Sequence, residues 1–169
     1  MSTSKAKGSA FELVVVKLIR KAVSKQFSED ICYRTPASGG HKQIGGGDIV
    51  IKHKLRKIFD WTVENKHRKT IKVHKFFSLA KDMREYLRQA VENCEETGGQ
   101  PLLVIRGTRT PIFAIAPLKS LVSTGYAPLA EDDTPGLRFR YKGRVWKIFL
   151  FSYMVKELKH KADKMAGRE

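Results

Sequence analysis

The sequence predicts an α/β fold with a mixed central β-sheet flanked by helices. Two observations carry this: apolar residues recur at helical spacing in two separated segments, and short runs rich in Val, Ile, Phe and Trp stand before and after the second of them. A chain of 169 residues suits one domain, spanning 1–169, with one hydrophobic core and one active site or binding face.

Taken in order, residues 1–8 read as a flexible basic lead. "SAFELVVVKLIRKAVS" then sets Phe11, Val14, Val15, Leu18, Ile19 and Ala22 at helical spacing, and Ser9 followed by Glu12 has the capping-box pattern that opens a helix. "DICYRT" reads as a short strand ending at Pro36, and "PASGGHKQIGGG" as a loop. "DIVIKH" and "KIFDWTVENKH" read as two strands paired as a hairpin across the basic turn "KLRK". In the second, side chains change face at every residue, so Glu64 and Lys66 share the face opposite Phe59, Trp61 and Val63.

"FFSLAKDMREYLRQAVENCEETGG" has helical periodicity and a Gly-Gly stop. "PLLVIRG" and "TPIFAIAP" are apolar runs of the kind that form buried strands, and "YAPLAEDDTPG" reads as a loop holding the acidic cluster. "LRFRYKGRVWKIFLF" reads as a hairpin turning at Lys142-Gly143, and residues 156–169 as a basic C-terminal helix or tail.

Charge narrows the function. With 33 Lys and Arg against 17 Asp and Glu, the formal net charge is +16, more than solubility requires, and nucleic acid is the first candidate partner. No apolar run approaches the length of a membrane span and the first residues lack a signal-peptide core, so the expected location is cytoplasmic, on nucleoid-associated DNA or viral DNA in a host cell. Cys32 and Cys94 have no CxxC spacing and read as reduced, buried thiols.

Hydrolysis of a phosphodiester at neutral pH requires a hydroxide-like nucleophile and neutralisation of charge on the phosphate, and Mg²⁺ held by carboxylates supplies both. Asp48 and Glu64 are candidates for that pair, with Lys66 placed to orient water or donate to phosphate oxygens. The spacing alone is also met by a solvated strand face with Asp48 closing a Gly-rich turn. The glycines do not form a P-loop, since no Gly-Lys-Ser/Thr ends the stretch.

"KGSAFE", "YRTPASGG", "GGGDIVIK" and "WTVENK" occur in the order found in archaeal-type Holliday junction resolvases, which the chain resembles over roughly residues 7–99. That group belongs to the PD-(D/E)xK nuclease superfamily, with a restriction-endonuclease-like core. The resemblance implies Glu12, Asp48 and Glu64 as metal ligands, Lys66 as the catalytic lysine, Ser38 as the active-site serine, Arg34 beside it, and Gln89 as the glutamine of the helix that follows. It also implies Mg²⁺, with Mn²⁺ as a substitute, a homodimer, and products with 5′-phosphate and 3′-hydroxyl ends. Two departures stand out: Gly47 replaces the proline before the first Asp, and Leu13 replaces an often basic residue. Glu12 is also accounted for by the capping box, Ser38 by an ordinary turn and Gln89 by an exposed helix position.

Lys54, Arg56, Arg68, Lys69 and Lys72 belong to a basic run over residues 52–75, and with Arg34 and Lys42 they are the candidate DNA contacts. Phe139, Tyr141 and Trp146 in the late hairpin fit core or dimer packing better than base stacking, and Phe76 and Phe77 fit core packing. The reading that unites these features is a metal-dependent endonuclease of branched DNA resolving four-way junctions. The alternatives are a nuclease of duplex or flapped DNA and a non-catalytic nucleic-acid-binding protein.

Overall fold

The computed structural model describes residues 4–36, 47–72 and 74–167. The first helix, α1 (Ser4–Val23), buries Phe11, Val15, Val16, Ile19 and Val23 along one stripe. It begins earlier than expected. Ser9 therefore lies inside the helix and cannot act as an N-cap, so Glu12 is not a capping-box partner; residues 4–8 are helical and not a loose lead. The run Ser-Lys-Ala-Lys holds no strong helix breaker, which lets the helix extend backwards past the capping signal.

A 3₁₀ turn (Glu29–Ile31) leads into β1 (Cys32–Arg34), which pairs antiparallel with β2 (Ile49–Ile51) in a two-stranded ribbon. The "KLRK" stretch is not a hairpin turn. It forms a short helix, α2 (His53–Arg56), because Leu55 is drawn fully into the core while its basic neighbours remain outside. The strand β3 (Trp61–Arg68) consequently leaves its predicted hairpin partner and pairs in parallel with β4 (Gln100–Gly107), Glu64 opposite Leu103 and Lys66 opposite Ile105. Such a parallel pair needs a crossover, supplied here by helices α3 (His74–Phe77) and α4 (Lys81–Thr97). One helix was expected from Phe76 onward. The break falls at Leu79, whose φ of +47° is left-handed, and it lets Phe76 enter the core while α4 starts in a new direction. At the other end the Gly-Gly stop is as expected: Gly98 has φ +73° and its N–H returns to the Cys94 carbonyl at 2.9 Å.

β5 (Ile112–Pro117), α5 (Leu118–Ser123), α6 (Ala127–Ala130), β6 (Gly136–Tyr141), β7 (Arg144–Leu150) and α7 (Phe151–Ala166) complete the chain. The main sheet has the order β3-β4-β5-β7-β6, parallel at β3–β4 and antiparallel elsewhere. It is the mixed five-stranded sheet flanked by helices of a restriction-endonuclease-like fold. The predicted loop 126–136 contains α6, and α5 before it was not foreseen; both form because Leu121 and Leu129 are buried. The β6–β7 hairpin turns at Lys142 (φ +46°) and Gly143 (φ +72°), the two positive φ angles of a type I′ turn.

Strand alternation sorts the core onto two faces. Leu102 and Val104 of β4 pack with Trp61 and Val63 under α1 and α7, whereas Leu103 and Ile105 pack with Leu87 and Trp146 under α4. Phe139 and Tyr141 are buried on the second face, so the aromatic residues of the late hairpin are internal. Phe76 joins them, 5.8 Å from the Phe139 ring, whereas Phe77 is about half exposed against that same ring. Cys32 is buried and Cys94 half-buried, and both are free thiols.

The C-terminal segment is a packed helix and not a tail, with Met154, Leu158 and Ala162 fully buried against the α1 side of the sheet. Leu158→Ala is therefore expected to lower unfolding free energy by about 2–5 kcal/mol in urea denaturation. A loss below ~0.5 kcal/mol, the scale of surface substitutions, would show that α7 is not part of the cooperative core.

Candidate active site

The candidate site forms along the edge of β3 that β4 leaves free. Here the β1–β2 ribbon is fastened to the main sheet by Asp48. Its backbone N–H donates to the Val63 carbonyl at 2.9 Å, and its own carbonyl accepts from the N–H of Thr35 at 3.0 Å. The Thr35 hydroxyl adds a bond to the Gly47 carbonyl at 3.0 Å. The Asp48 carboxylate reaches along the edge and accepts the N–H of Asn65 at 2.6 Å. Gly47 stands at φ +98°, and a Cβ there would lie 3.0 Å from the Val63 carbonyl oxygen. A proline, held near φ −65°, is incompatible with that backbone, which accounts for the departure from the superfamily pattern.

Glu64 and Lys66 do share a face, and it is the one under α4. The solvated-face reading does not hold, since Glu64 is only 5% exposed and Lys66 half-buried. One carboxylate oxygen of Glu64 takes the Lys66 ammonium at 2.5 Å, and the other accepts the Asn93 side-chain amide at 2.7 Å. Lys66 also lies 5.6 Å from the centre of the Tyr86 ring. Gln89, the helix residue singled out from the sequence, instead donates to Glu85 at 2.9 Å. Asn93 sits one turn further along the same helix face, so helical periodicity alone could not choose between them; the position of α4 along β3, which sets Asn93 opposite Glu64, does. Thr35 was likewise missed, although it lies within "YRTPASGG".

Glu12, buried on α1, pairs with the Arg34 guanidinium from β1. This gives the helix carboxylate a defined partner and draws Arg34 towards the site. Burial, followed by the charge of Glu64, pushes the Asp48 carboxyl up to about 7; the Asn65 N–H opposes this, Glu12 adds to it, and Lys66 opposes it. The carboxylates therefore sense one another, and the site carries more negative charge than its burial tolerates. That excess suits a cation. Among the described residues no three His, Cys, Asp or Glu side chains converge as a metal-holding group. Asp48 and Glu64 nevertheless offer the donor chemistry of a hard divalent ion, which is commonly held by one or two carboxylates and completed by water.

The remaining candidates fall into separate places. Ser38 and Lys42 lie outside the described residues. Lys54 is exposed on α2, and the half-buried Arg56 is paired with Asp60 at 3.1 Å. Lys69 and Lys72 are exposed beyond the far end of β3, and Arg68 lies 4.8 Å over the Tyr86 ring. The basic run is thus divided between the two ends of a strand that spans about 23 Å by its rise per residue, with Glu64 and Lys66 between them.

This mixed sheet, with Asp48, Glu64 and Lys66 at the free edge of one strand, defines a restriction-endonuclease-like protein of the PD-(D/E)xK class. Residues 3–131 match the model of the family described as "Phage putative PDDEXK endonuclease", and the chain belongs to that family. No curated protein and no solved structure matches it. The chain is thus a nuclease by family, of a superfamily whose members generally use divalent metal ions. The superfamily inferred from the motifs is the one found, and the matched span ends before the β6–β7 hairpin and α7. Among the described residues no helix is long and apolar enough to cross a membrane.

The carboxyl of Asp48 generates a pH dependence whose sign follows from its shift. In the unfolded chain it titrates near 3.8 and in the folded protein near 7, so between these values the native state holds a proton that the unfolded chain has lost. Its contribution to stability is fully present below the unfolded value and is lost as pH rises through the folded one. In chelator, the thermal midpoint of the wild type should fall between pH 4 and pH 8 relative to Asp48→Asn, which keeps an oxygen for the Asn65 N–H and cannot ionise. Parallel midpoint curves for the two proteins would contradict the assignment.

Proposed function

We propose that the protein is a Mg²⁺-dependent DNA endonuclease that acts on branched DNA, resolving four-way junctions. The observation that carries the nuclease reading is the buried Glu64 carboxylate, held between Lys66 and Asn93 and raising the carboxyl of Asp48. In this reading Asp48 and Glu64 hold the cation, Mg²⁺ or Mn²⁺ in its place, while Glu12 keeps Arg34 turned towards the site. The cation supplies a Lewis acid for the phosphate and a more acidic water.

The chain's own residues do the rest. Lys66, oriented by its contact with Glu64, presents its ammonium to the water or to a non-bridging phosphate oxygen and stabilises charge developing there. Asn93 fixes the second oxygen of Glu64, so that carboxylate cannot rotate away from Lys66. Attack on phosphorus with departure of the 3′-oxygen leaves a 5′-phosphate and a 3′-hydroxyl. Lys54, Lys69 and Lys72 would receive backbone phosphates.

Four-way junctions as the substrate rest on the motifs "KGSAFE" and "YRTPASGG", and a homodimer on the approximate two-fold symmetry of a junction cut on two strands. A second reading, cleavage of duplex or flapped DNA, is favoured by one observation: Phe139, Tyr141 and Trp146 are buried in the chain's own core, so the late hairpin offers no aromatic dimer face.

Labelled four-way junction, flap, linear duplex and single strand, each incubated with Mg²⁺, Mn²⁺ or chelator, decide among these. Cleavage of the junction should need the metal and fall about a hundredfold or more in Asp48→Asn and in Lys66→Ala. Cleavage that persists in chelator, or in Asp48→Asn, would refute the metal-nuclease reading. Equal cutting of linear duplex would remove the junction substrate alone.

A further inference from the structure

Beyond Lys66, the same face of β3 continues to Arg68, about 6.6 Å further along the strand by the rise per residue. There it opens into a cavity of about 170 Å³ lined by Arg68, Thr70, Lys72, Lys75, Asp82 and Met83 with Ile71 and Ile105. Three cationic side chains face one carboxylate. That carboxylate, Asp82, is paired with Lys75 at 3.1 Å, which leaves the charge of Arg68 and Lys72 uncompensated within the pocket.

The pocket is also held in shape. Arg68 is braced by donating its Nε–H to the Tyr86 hydroxyl, by stacking its guanidinium 4.8 Å over the same ring and by donating from Nη1 to the His67 carbonyl at 3.3 Å, which leaves its Nη2 N–H groups for a ligand. The segment behind it is tied to the end of β4, where the Thr108 N–H donates to the carbonyls of Arg68 (3.1 Å) and Lys69 (3.3 Å). Gly107 permits this close approach, since a Cβ there would lie 3.2 Å from the Ile71 nitrogen. A braced guanidinium, two ammonium groups and a hydroxyl around a small recess match a tetrahedral dianion or a backbone phosphate in charge and in donor geometry.

We propose that this pocket is a phosphate subsite that receives the backbone phosphate next to the one held at Lys66. It sets the register of the cut strand along β3. The step from Lys66 to Arg68 on one strand face is comparable with the spacing of neighbouring phosphates along a nucleic-acid strand, so consecutive phosphates meet consecutive cations of that face. Tyr86 is the shared support, since it carries both Lys66 and Arg68 on its ring. The inference rests on the nuclease reading and deepens it by assigning how the substrate is aligned.

The test uses DNA carrying a single uncharged methylphosphonate, moved one linkage at a time past the mapped cut. In the wild type one neighbouring linkage should stand out, its neutralisation slowing cleavage about tenfold, the scale of one charge-assisted contact. In Lys72→Gln and in Lys72→Gln/Lys75→Gln the unmodified DNA should be cut correspondingly slower, and the same methylphosphonate should add less than about twofold. No sensitive linkage, or undiminished sensitivity in both variants, would overturn the subsite while leaving the nuclease reading intact. A binding arm in chelator is independent of cleavage: the slope of log affinity against log salt should fall by about one for each lysine removed. An unchanged slope would overturn the subsite even for a protein that cut no DNA, a result that would itself refute the nuclease reading. Because Lys72 is exposed, its single variant keeps the test clear of folding defects.

Discussion

The seam between Asp48 and β3 is the contact on which the site depends. The β1–β2 ribbon is a separate sheet, and a ribbon of two three-residue strands has little stability of its own. Asp48 joins it to the main sheet through its backbone N–H to Val63 and its carboxylate to the N–H of Asn65, while Thr35 holds the other side of its peptide. One residue thus satisfies the exposed edge of β3 and delivers a carboxylate beside Glu64. Gly47 is part of the same constraint, because only a residue free of a Cβ lies comfortably against the Val63 carbonyl at that φ.

The electrostatics follow from where this seam lies. Glu64 is buried because α4 covers its face of β3, and it remains compatible with burial because Lys66 and Asn93 occupy its two oxygens. Among the described residues the Asp48 carboxylate accepts from a backbone donor, the Asn65 N–H, and it is buried near a second and a third carboxylate, so its proton is held far above the ordinary aspartate range. Among the described residues three acids, Glu12, Asp48 and Glu64, meet two cations, Arg34 and Lys66, which is unfavourable as a purely structural device. A divalent ion, of the kind members of the superfamily generally use, would offset that charge.

Part of the chain's positive charge flanks this acidic centre at both ends of β3. Lys54 and Arg56 lie before β3, Arg68 is its last residue and Lys72 lies beyond it, and Tyr86 carries Lys66 and Arg68 on one ring. The aromatic residues of the late hairpin fill the core under α4, whereas its arginines are exposed.

The sequence by itself determined what repeats locally. Helical spacing located α1 and the body of α4, strand alternation put Glu64 and Lys66 on one face, and Lys142-Gly143 marked a turn that needs two positive φ angles. These features depend on near neighbours, whose geometry is set by 3.6- and 2-residue periods. Tertiary structure decided the rest. The hairpin expected across "KLRK" gave way because Leu55 found the core, β3 found β4 across the α3–α4 crossover, and Asp48 bonded to the β3 backbone at Val63 and Asn65, on either side of Glu64. The helix broke at Leu79 to bury Phe76, and the placement of α4 along β3 set Asn93 and not Gln89 beside Glu64. In each case the deciding contact joins residues far apart in the chain, and its free energy comes from burial and hydrogen bonds that no local pattern encodes.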